Sequence, residues 1–197
     1  MSQHLTPRGA YPGHAVLQVP VPSMDRWVRE RSAHYDAAYV SDDPHFVHAH
    51  VTALGPVPDV EQDEAGHGGV PGPLASLVAQ VCADAAPFAA VFAEVATFPT
   101  GIVHLRPTDP RPFSALTDAL RATLPHVLPY GGRFVPDPHL TLDALSEEVT
   151  EASTQASVAH LLPARVEVRH LDLAWWAPQE CRLLARWELG TGRRMLG

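Results

Sequence analysis

A four-residue motif, His-apolar-Thr-apolar, occurs twice in this chain and limits the folds that the chain can adopt. HVTA begins at residue 50 and HLTL begins at residue 139, so the copies are 89 positions apart, close to half of the 197 residues. Each copy lies in a segment predicted as a strand, and each is followed by a loop, a helix and a two-strand unit. We therefore expect two similar halves, each contributing one motif strand.

The order of the predicted elements supports this repeat. Apolar periodicity and Gly or Pro breaks predict strands over 15–19, 46–57, 88–98, 102–106, 139–142, 165–176 and 181–189. Helices are predicted over 23–39, 74–82 and 112–124, and from a Ser146 cap to Pro163. The parity of the apolar residues changes near His170, which predicts a β-bulge. We expect one α+β domain over 15–197, with a flexible leader over 1–14.

Strand geometry gives the repeated motif a structural meaning. Side chains at positions i and i+2 of a strand point to the same face. His50 and Thr52 therefore project together, and so do His139 and Thr141. If the two halves pack about a pseudo-two-fold axis, two imidazoles and two hydroxyls meet across one cleft.

Two imidazoles and two hydroxyls are suited to the cleavage of a phosphodiester. Because the pKa of histidine lies near neutrality, one imidazole can act as general base and the other as general acid in one in-line displacement. The hydroxyls can donate hydrogen bonds to the non-bridging phosphoryl oxygens and so stabilise their negative charge. The pattern predicts that one histidine activates the nucleophile while the other protonates the leaving alkoxide.

Charge and composition exclude several other classes of protein. The formal net charge of −8 repels phosphate backbones and argues against the binding of long nucleic acid. All 14 basic residues are Arg, so a Schiff-base lysine and a P-loop lysine are both excluded. The sequence contains no apolar run long enough to span a bilayer and no secretory h-region near its start. We expect a cytoplasmic protein that does not bind membranes.

Three further residues are candidates for substrate binding. Arg106 and Arg133 are candidate partners for a phosphate or a base, because arginine pairs bidentately with phosphate. Tyr130 precedes the second motif and is a candidate for stacking on a base.

A histidine cluster near the first motif suggests another function. His45, His48 and His50 form an H-x2-H-x-H pattern, so a metal-dependent hydrolase built on these residues is an alternative. His104 is expected to be a half-exposed strand residue instead.

The motifs and their surroundings resemble the two-histidine (2H) phosphoesterase superfamily, which has paired His-x-Thr/Ser-x motifs. HAHVTALGP and PYGGRFVPDPHLTL look most like bacterial members of its 2′-5′ RNA ligase and cyclic phosphodiesterase branch. The resemblance extends over nearly the whole chain and implies a bilobal α+β fold, with two antiparallel sheets flanked by helices and a central cleft without metal. It also implies that His50 is the proton donor, that His139 is the proton acceptor, and that Thr52 and Thr141 bind the phosphate.

The chain departs from this branch in the charge that follows each motif. Members often have an Arg shortly after each motif. In this chain the corresponding positions are occupied by Leu54-Gly55-Pro56 after the first motif and by Asp143-Ala144 after the second. Asp143 shares strand parity with Thr141, so it is expected to face the end of the cleft and to disfavour an RNA-sized polyanion.

Together these observations predict a metal-independent phosphodiesterase without a cofactor. It is expected to hydrolyse 2′,3′-cyclic phosphate or 2′-5′ phosphodiester bonds of nucleotides or RNA ends. Its partner is expected to be a small nucleotide or a short oligonucleotide, and the protein a monomer. The alternative is a non-catalytic nucleotide-binding module on the same fold. The sequence leaves open whether the reaction is hydrolysis or ligation, and which histidine is the acid.

Overall fold

The computed structural model describes residues 13–58, 60, 69–132 and 136–196. Within these residues the chain forms nine strands and four α-helices. The strands are β1 (His14–Pro20), β2 (His50–Val57), β3 (Phe88–Thr97), β4 (Ile102–Pro107), β5 (Leu140–Ala144), β6 (Ala164–Val168), β7 (His170–Trp176), β8 (Arg182–Glu188) and β9 (Arg194–Leu196). The helices are α1 (Asp25–Asp36), α2 (Gly72–Asp84), α3 (Arg111–Thr123) and α4 (Glu151–Val158).

All nine strands belong to one antiparallel sheet, and the predicted α+β class is confirmed. The strand order is β6-β3-β4-β5-β2-β1-β7-β8-β9. The two motif strands, β2 and β5, are neighbours at the centre and share a single paired position, Val51 with Leu140. The two antiparallel sheets implied by the resemblance are therefore two halves of one sheet, joined by one pair of residues.

The two halves are arranged in the same way around this junction. In each half the motif strand pairs on its outer side with the strand that precedes it in the chain, β1 beside β2 and β4 beside β5. A helix lies between the two strands in sequence, α1 in the first half and α3 in the second. This repetition is the pseudo-two-fold relation that the duplicated motif predicts.

The apolar residues of the motif strands form part of the main core. Val51 and Leu140 are 1% and 0% exposed and belong to the same cluster as Leu116 and Leu120 of α3. Complete burial of such a side chain contributes about 1.5–3 kcal/mol. Since strand side chains alternate, burying Val51 and Leu140 turns the histidines and threonines of both motifs to the opposite face.

The predicted β-bulge near His170 is wrong, because the chain changes position in the sheet there. β6 pairs with β3, whereas β7 pairs with β1 on the other side of the central strands. The change in apolar parity therefore marks the end of one strand and the start of another. The strand predicted over 46–57 is shorter in the structure, because β2 begins only at His50. In addition, β9 has no counterpart among the predicted strands.

The predicted cap of the fourth helix is also wrong. Ser146 lies in a turn, where its hydroxyl accepts hydrogen bonds from the backbone N–H groups of Glu148 and Val149. Thr150 is the N-cap instead, and it forms a capping box with Ser153. A capping box satisfies two backbone donors at once, so the helix begins where this pair of side chains is available.

We expect the Thr150→Ala variant to lose about 1 kcal/mol of unfolding free energy, the usual cost of removing an N-cap hydroxyl. Urea denaturation of the variant and the parent protein measures this difference. Ser76→Ala is the control, because the Ser76 hydroxyl donates to a carbonyl within its own helix and caps nothing. Equal losses in the two variants would contradict the assignment of the cap.

Two other predictions concern the chain as a whole. Residues 1–12 of the predicted leader lie outside the described residues, and His14 is the first residue of β1. None of the helices that the structure describes is both long enough and apolar enough to cross a bilayer.

Candidate active site

The register at the sheet centre brings the four motif side chains together. In an antiparallel pair with Val51 opposite Leu140, His50 lies opposite Thr141, and Thr52 lies opposite His139. Side chains directly opposite in such a pair have their Cβ atoms about 4.5–5.5 Å apart. The four residues therefore form a two-by-two array, called the quartet below. Its histidines occupy one diagonal and its threonines the other.

Both histidines are held in the same way by the backbone. The Nδ1 atom of His50 is 2.7 Å from the carbonyl oxygen of His48, and Nδ1 of His139 is 2.7 Å from the carbonyl oxygen of Asp137. A carbonyl oxygen only accepts hydrogen bonds, so Nδ1 carries the hydrogen in each ring. Nε2 is then the nitrogen that gains and loses the proton, and the backbone fixes the ring orientation.

An aromatic ring also packs beside each histidine. The rings of Trp176 and His50 have their centroids 5.1 Å apart, and those of Phe98 and His139 are 4.9 Å apart. Trp176 donates from Nε1 to Oε1 of Gln18, at 3.0 Å, and this bond fixes the indole. These rings restrict the rotamers of both histidines, which preorganises the quartet.

The environment of His50 favours its neutral form. The pKa of His50 is lowered to about 4, mainly by burial and to a smaller extent by positive charge on His139 and His48, against the opposing effects of the hydrogen bond to the His48 carbonyl and of Asp25. The contribution from His139 indicates that the two diagonal imidazoles interact electrostatically. At neutral pH His50 therefore holds a lone pair on Nε2.

The two hydroxyls of the quartet are available to a ligand. Thr141 is exposed and Thr52 is half-buried. Neither hydroxyl makes a hydrogen bond to another residue that the structure describes. Each threonine also has a neighbour on the outer strand of its half. Gln18 of β1 lies opposite Thr52, and His104 of β4 lies opposite Thr141.

His104 is fully buried, so the prediction that it is half-exposed is wrong. Its ring stacks on Phe98 at 3.8 Å and lies 5.4 Å from the ring of His139. Burial lowers the pKa of His104, and the positive charges of His139 and Arg106 lower it further. The neutral ring of His104 therefore packs beside the ring of His139.

Asp143 faces the cleft as its parity predicts, but its charge is compensated. Its carboxylate accepts hydrogen bonds from Nη2 of Arg31 at 2.7 Å, from the hydroxyl of Tyr35, and from Oγ1 of Thr154 at 3.0 Å. Arg31 and Tyr35 lie one turn apart on α1. The carboxylate that was expected to disfavour a polyanion therefore does not carry an uncompensated charge, because a guanidinium from another element pairs with it.

Sequence reasoning missed Arg31 and Tyr35 as residues of the cleft. They are four positions apart in α1 and therefore on one helix face, which they share with the buried residues Trp27 and Val28. The signal in the sequence was a pair of polar residues beside the apolar stripe of a predicted helix. Their partner, Asp143, is more than 100 positions away in sequence, so the sequence alone did not reveal the contact.

A cavity of about 470 Å³ adjoins the quartet between α1 and the sheet. His50 and Thr141 lie at its border, together with Trp176. The rest of its lining includes Val28, Arg31, Ser32, Tyr35, Asp36, Tyr39, Ile102, Leu142 and Asp143.

Of the three other candidate binding residues, only Arg106 has a side chain within the described part of the structure. Arg106 lies on β4, and by the pairing of Leu105 with Leu140 it is opposite His139. Its Nη2 atom is 4.0 Å from Oδ2 of Asp137, and both side chains are about half exposed, so this ion pair is weak. Arg133 lies outside the described residues. Tyr130 belongs to the 3-10 helix Pro129–Gly132, and its side chain is outside the described part of the structure.

The histidine cluster gives no support to the metal-dependent alternative. Nε2 of His48 accepts a hydrogen bond from the backbone N–H of Ser41 at 3.1 Å, and its Nδ1 lies 3.7 Å from Asp25. Nδ1 of His50 is occupied by a carbonyl group. Within the part of the chain that the structure describes, no three His, Cys, Asp or Glu side chains converge to hold a metal ion.

The lowered pKa of His50 predicts a loss of stability in acid. The folded protein keeps His50 neutral down to about pH 4, whereas the unfolded chain binds a proton near pH 6.5. As the pH falls from 6.5 to 4, the unfolding free energy therefore decreases, by about 3 kcal/mol at most from this residue. Burial also lowers the pKa values of His104 and His170, with the same sign. Urea titrations at several pH values, compared with His50→Asn, measure this contribution; an unchanged slope in His50→Asn would contradict it.

Comparison with known proteins agrees with this architecture. The family model described as the 2′-5′ RNA ligase superfamily matches residues 20–180. No curated protein matches the chain. Among solved structures, E. coli LigT in complex with 3′-AMP is 18% identical, with 91% of this chain and 99% of LigT covered and a TM-score of 0.52. The TT0787 protein of Thermus thermophilus is 17% identical, with 91% of this chain and 100% of that protein covered and a TM-score of 0.53. At these identities the likeness is one of fold.

Proposed function

The chain belongs to the 2′-5′ RNA ligase superfamily, and on that basis we propose that it is a metal-independent phosphodiesterase of the two-histidine type. Its proposed reaction is hydrolysis of 2′,3′-cyclic phosphate or 2′-5′ phosphodiester bonds in nucleotides or RNA ends. The observation that carries this proposal is the pairing of Val51 with Leu140, which assembles the quartet on one face of the sheet.

The diagonal positions of the two histidines suit an in-line displacement. The attacking and leaving oxygens lie on opposite sides of phosphorus, so the base and the acid must also lie on opposite sides of the phosphate. In the proposed mechanism Nε2 of one histidine takes a proton from water, whose oxygen forms the new P–O bond. Nε2 of the other gives a proton to the leaving alkoxide as the ester bond breaks. Thr52 and Thr141 donate hydrogen bonds to the non-bridging oxygens.

The electrostatics favour one assignment of the two roles. Burial keeps His50 neutral, with a pKa of about 4, so its Nε2 is ready to accept a proton. With His50 assigned as the base, His139 takes the role of acid. This assignment reverses the one that the family resemblance implies.

Three features support a small nucleotide as the substrate. A nucleotide is bound in the structure of E. coli LigT, which shares this fold. The net charge of −8 disfavours a long polyanion, whereas the Arg31–Asp143 pair allows a small anion to approach. We further propose that the protein acts in the cytoplasm as a monomer.

A substrate screen with the purified protein tests the proposal. The candidates are 2′,3′-cyclic nucleotides and 2′-5′ dinucleotides, with the position of the product phosphate determined by NMR. Turnover of either class is the expected result. If calorimetry detects nucleotide binding while every candidate remains intact, the protein is a non-catalytic binding module instead.

The proposed chemistry also predicts how activity responds to pH and to chelators. We expect kcat/KM to show a bell-shaped pH dependence, since one imidazole must be neutral and the other protonated. We expect the rate to be unchanged after dialysis against EDTA, because proton transfer and anion binding are assigned to the quartet. Loss of the rate on dialysis, with recovery on addition of a divalent cation, would contradict the metal-independent mechanism.

A further inference from the structure

Gln18 is a buried polar residue in β1, on the same face of the sheet as the quartet. It is 1% exposed and lies opposite Thr52 in the pairing of β1 with β2. A buried amide is costly unless it forms hydrogen bonds, whereas its sequence neighbours Leu17 and Val19 are apolar and fully buried. Because Gln18 is itself almost completely buried, any effect that it has on a reaction must be exerted through the groups that it contacts.

The amide of Gln18 joins two segments that are far apart in sequence. Its Nε2 atom donates to the carbonyl oxygen of Val47 at 3.2 Å, and its Oε1 atom accepts from Nε1 of Trp176 at 3.0 Å. An indole N–H only donates and a backbone carbonyl only accepts, so the two partners determine which way the amide points. A carboxylate at this position could not donate to the carbonyl, and an aliphatic side chain could form neither bond.

Both partners of Gln18 act on the imidazole of His50. The centroid of the Trp176 ring lies 5.1 Å from that of His50. Val47 directly precedes His48, whose carbonyl oxygen accepts from Nδ1 of His50 at 2.7 Å. Gln18 therefore supports His50 both through the ring that packs beside it and through the backbone that holds its Nδ1.

The backbone before the first motif depends on such side chains, because residues 46–49 precede the start of β2. Asp25 of α1 accepts hydrogen bonds from the backbone N–H groups of His48 and Ala49, at 2.6 and 3.2 Å. Gln18 of β1 donates to a carbonyl of the same segment. Side chains from two other elements thus determine where the His48 carbonyl points, and with it the orientation of the ring that it holds.

The second half of the chain has a related arrangement at the corresponding position. There the residue opposite the motif threonine is His104, which stacks on Phe98 at 3.8 Å. Phe98 in turn packs beside His139. A residue on the outer strand therefore holds an aromatic ring against each motif histidine, by stacking in one half and by a hydrogen bond in the half that contains His50. This recurrence indicates that the arrangement serves the histidines.

We propose that Gln18 is the positioning residue for His50, because its amide links the Trp176 indole to the backbone before the motif and so keeps Nε2 of His50 toward the phosphate. This inference rests on the proposed function for the role of His50 as base. It assigns part of the rate to a buried residue of β1. Loss of the amide should slow proton transfer while the threonine hydroxyls remain able to bind the phosphate.

Gln18→Met tests this inference, since methionine has a similar length but cannot bridge a donor and an acceptor. We expect kcat on the best substrate of the screen to fall about tenfold, within the roughly 100-fold that a displacement of about 1 Å can cost. KM should not change. An unchanged kcat would overturn the inference. So would a rise in KM alone, because it would mean that Gln18 supports phosphate binding at Thr52.

The matched control is Ser157→Ala, which removes the acceptor of another buried indole. Trp27 of α1 donates from Nε1 to Oγ of Ser157 in α4, at 3.1 Å. We expect this variant to keep the kcat and KM of the parent protein. If it lost as much kcat as Gln18→Met, the loss would reflect a general loosening of the fold, and the inference would be overturned.

Trp176→Phe keeps the inference testable if Gln18→Met does not fold. Phenylalanine retains a ring at this position but has no N–H to donate to Gln18, so kcat should fall here as well. The double variant should be no slower than the slower of the two single variants, because both changes break the same link. Losses that multiply would show that the two residues act independently, which contradicts the proposal.

An NMR titration separates this inference from the proposed function, because it requires no turnover. Burial is the main cause that lowers the pKa of His50 to about 4, and the nearby charges are those of His139, His48 and Asp25. If Gln18 keeps the ring in its buried position, Gln18→Met should raise this pKa toward its ordinary value. The chemical shifts of the imidazole nitrogens in isotope-labelled protein measure the change.

The two proposals then have distinguishable outcomes. If no phosphodiester is turned over but the pKa of His50 rises in Gln18→Met and not in Ser157→Ala, the proposed reaction fails while Gln18 still positions the ring. If the pKa of His50 is the same in Gln18→Met as in the parent protein, Gln18 does not position His50, whatever the substrate screen shows.

Discussion

The His139→Ala variant is expected to lose about 10²–10⁴-fold in kcat/KM on cyclic or 2′-5′ phosphodiesters, the usual contribution of one acid–base group. The imidazole is the only part of this side chain that can donate a proton to a leaving alkoxide. A methyl group in its place leaves the departing oxygen to take its proton from water. Steady-state kinetics on the best substrate from the screen measures the loss.

The comparison variant for this experiment is His160→Ala, which removes an exposed histidine in the middle of the short 3-10 helix Ala159–Leu161. We expect it to retain full activity. We expect His50→Ala to resemble His139→Ala in rate but to differ in pH dependence, because it removes the group assigned as base. Full activity in His139→Ala would exclude the proposed mechanism.

The Arg186→Met variant is expected to lose about 3–5 kcal/mol of unfolding free energy, the cost of leaving a buried charge uncompensated. Arg186 pairs bidentately with Asp172 across β7 and β8, with Nε–Oδ1 and Nη2–Oδ2 distances of 2.7 and 2.6 Å. Asp172 is 0% exposed. Burial raises the pKa of Asp172, although its hydrogen bonds to Arg186 oppose this shift. Thermal and urea unfolding measure the loss.

Two further variants separate charge from packing at this pair. In the double variant Asp172→Leu with Arg186→Met, both charges are absent, so we expect most of the stability to return. Arg193→Met is the surface control, because Arg193 and Glu188 form an exposed pair, whose loss should have little effect. If Arg186→Met and Arg193→Met were equally stable, the buried carboxylate would not depend on its partner.

The sequence predicts the faces of the motif strands but not how the strands align. Alternation alone places His50 with Thr52 and His139 with Thr141, because it depends only on the period of a strand. The alignment of Val51 with Leu140 depends on packing between two halves that are 89 positions apart in sequence, and no local pattern encodes it. For that reason the diagonal arrangement of the histidines emerges only from the structure.

Long-range pairing also explains two of the other differences. The sequence predicts that Asp143 repels anions, because no local pattern shows that Arg31, which lies on another element, pairs with it. It predicts a continuous strand over 165–176, because each half of that segment is apolar and only the sheet topology separates them. It predicts a half-exposed His104, but Phe98 stacks on that ring. For Asp143 and for the 165–176 segment, elements distant in sequence change the environment, whereas Phe98 reaches the ring of His104 across the turn between β3 and β4.

The single pair of residues that joins the two halves places an unusual demand on the hydrophobic core. A shift of one residue between β2 and β5 would turn one of the two motif histidines to the buried face and expose either Val51 or Leu140. With so few backbone contacts at this junction, the burial of these two side chains beneath α3 must maintain the alignment. The alignment of the proposed catalytic groups thus depends on packing on the other side of the sheet, and a substitution in the α3 core is expected to lower the proposed activity without changing any of those groups.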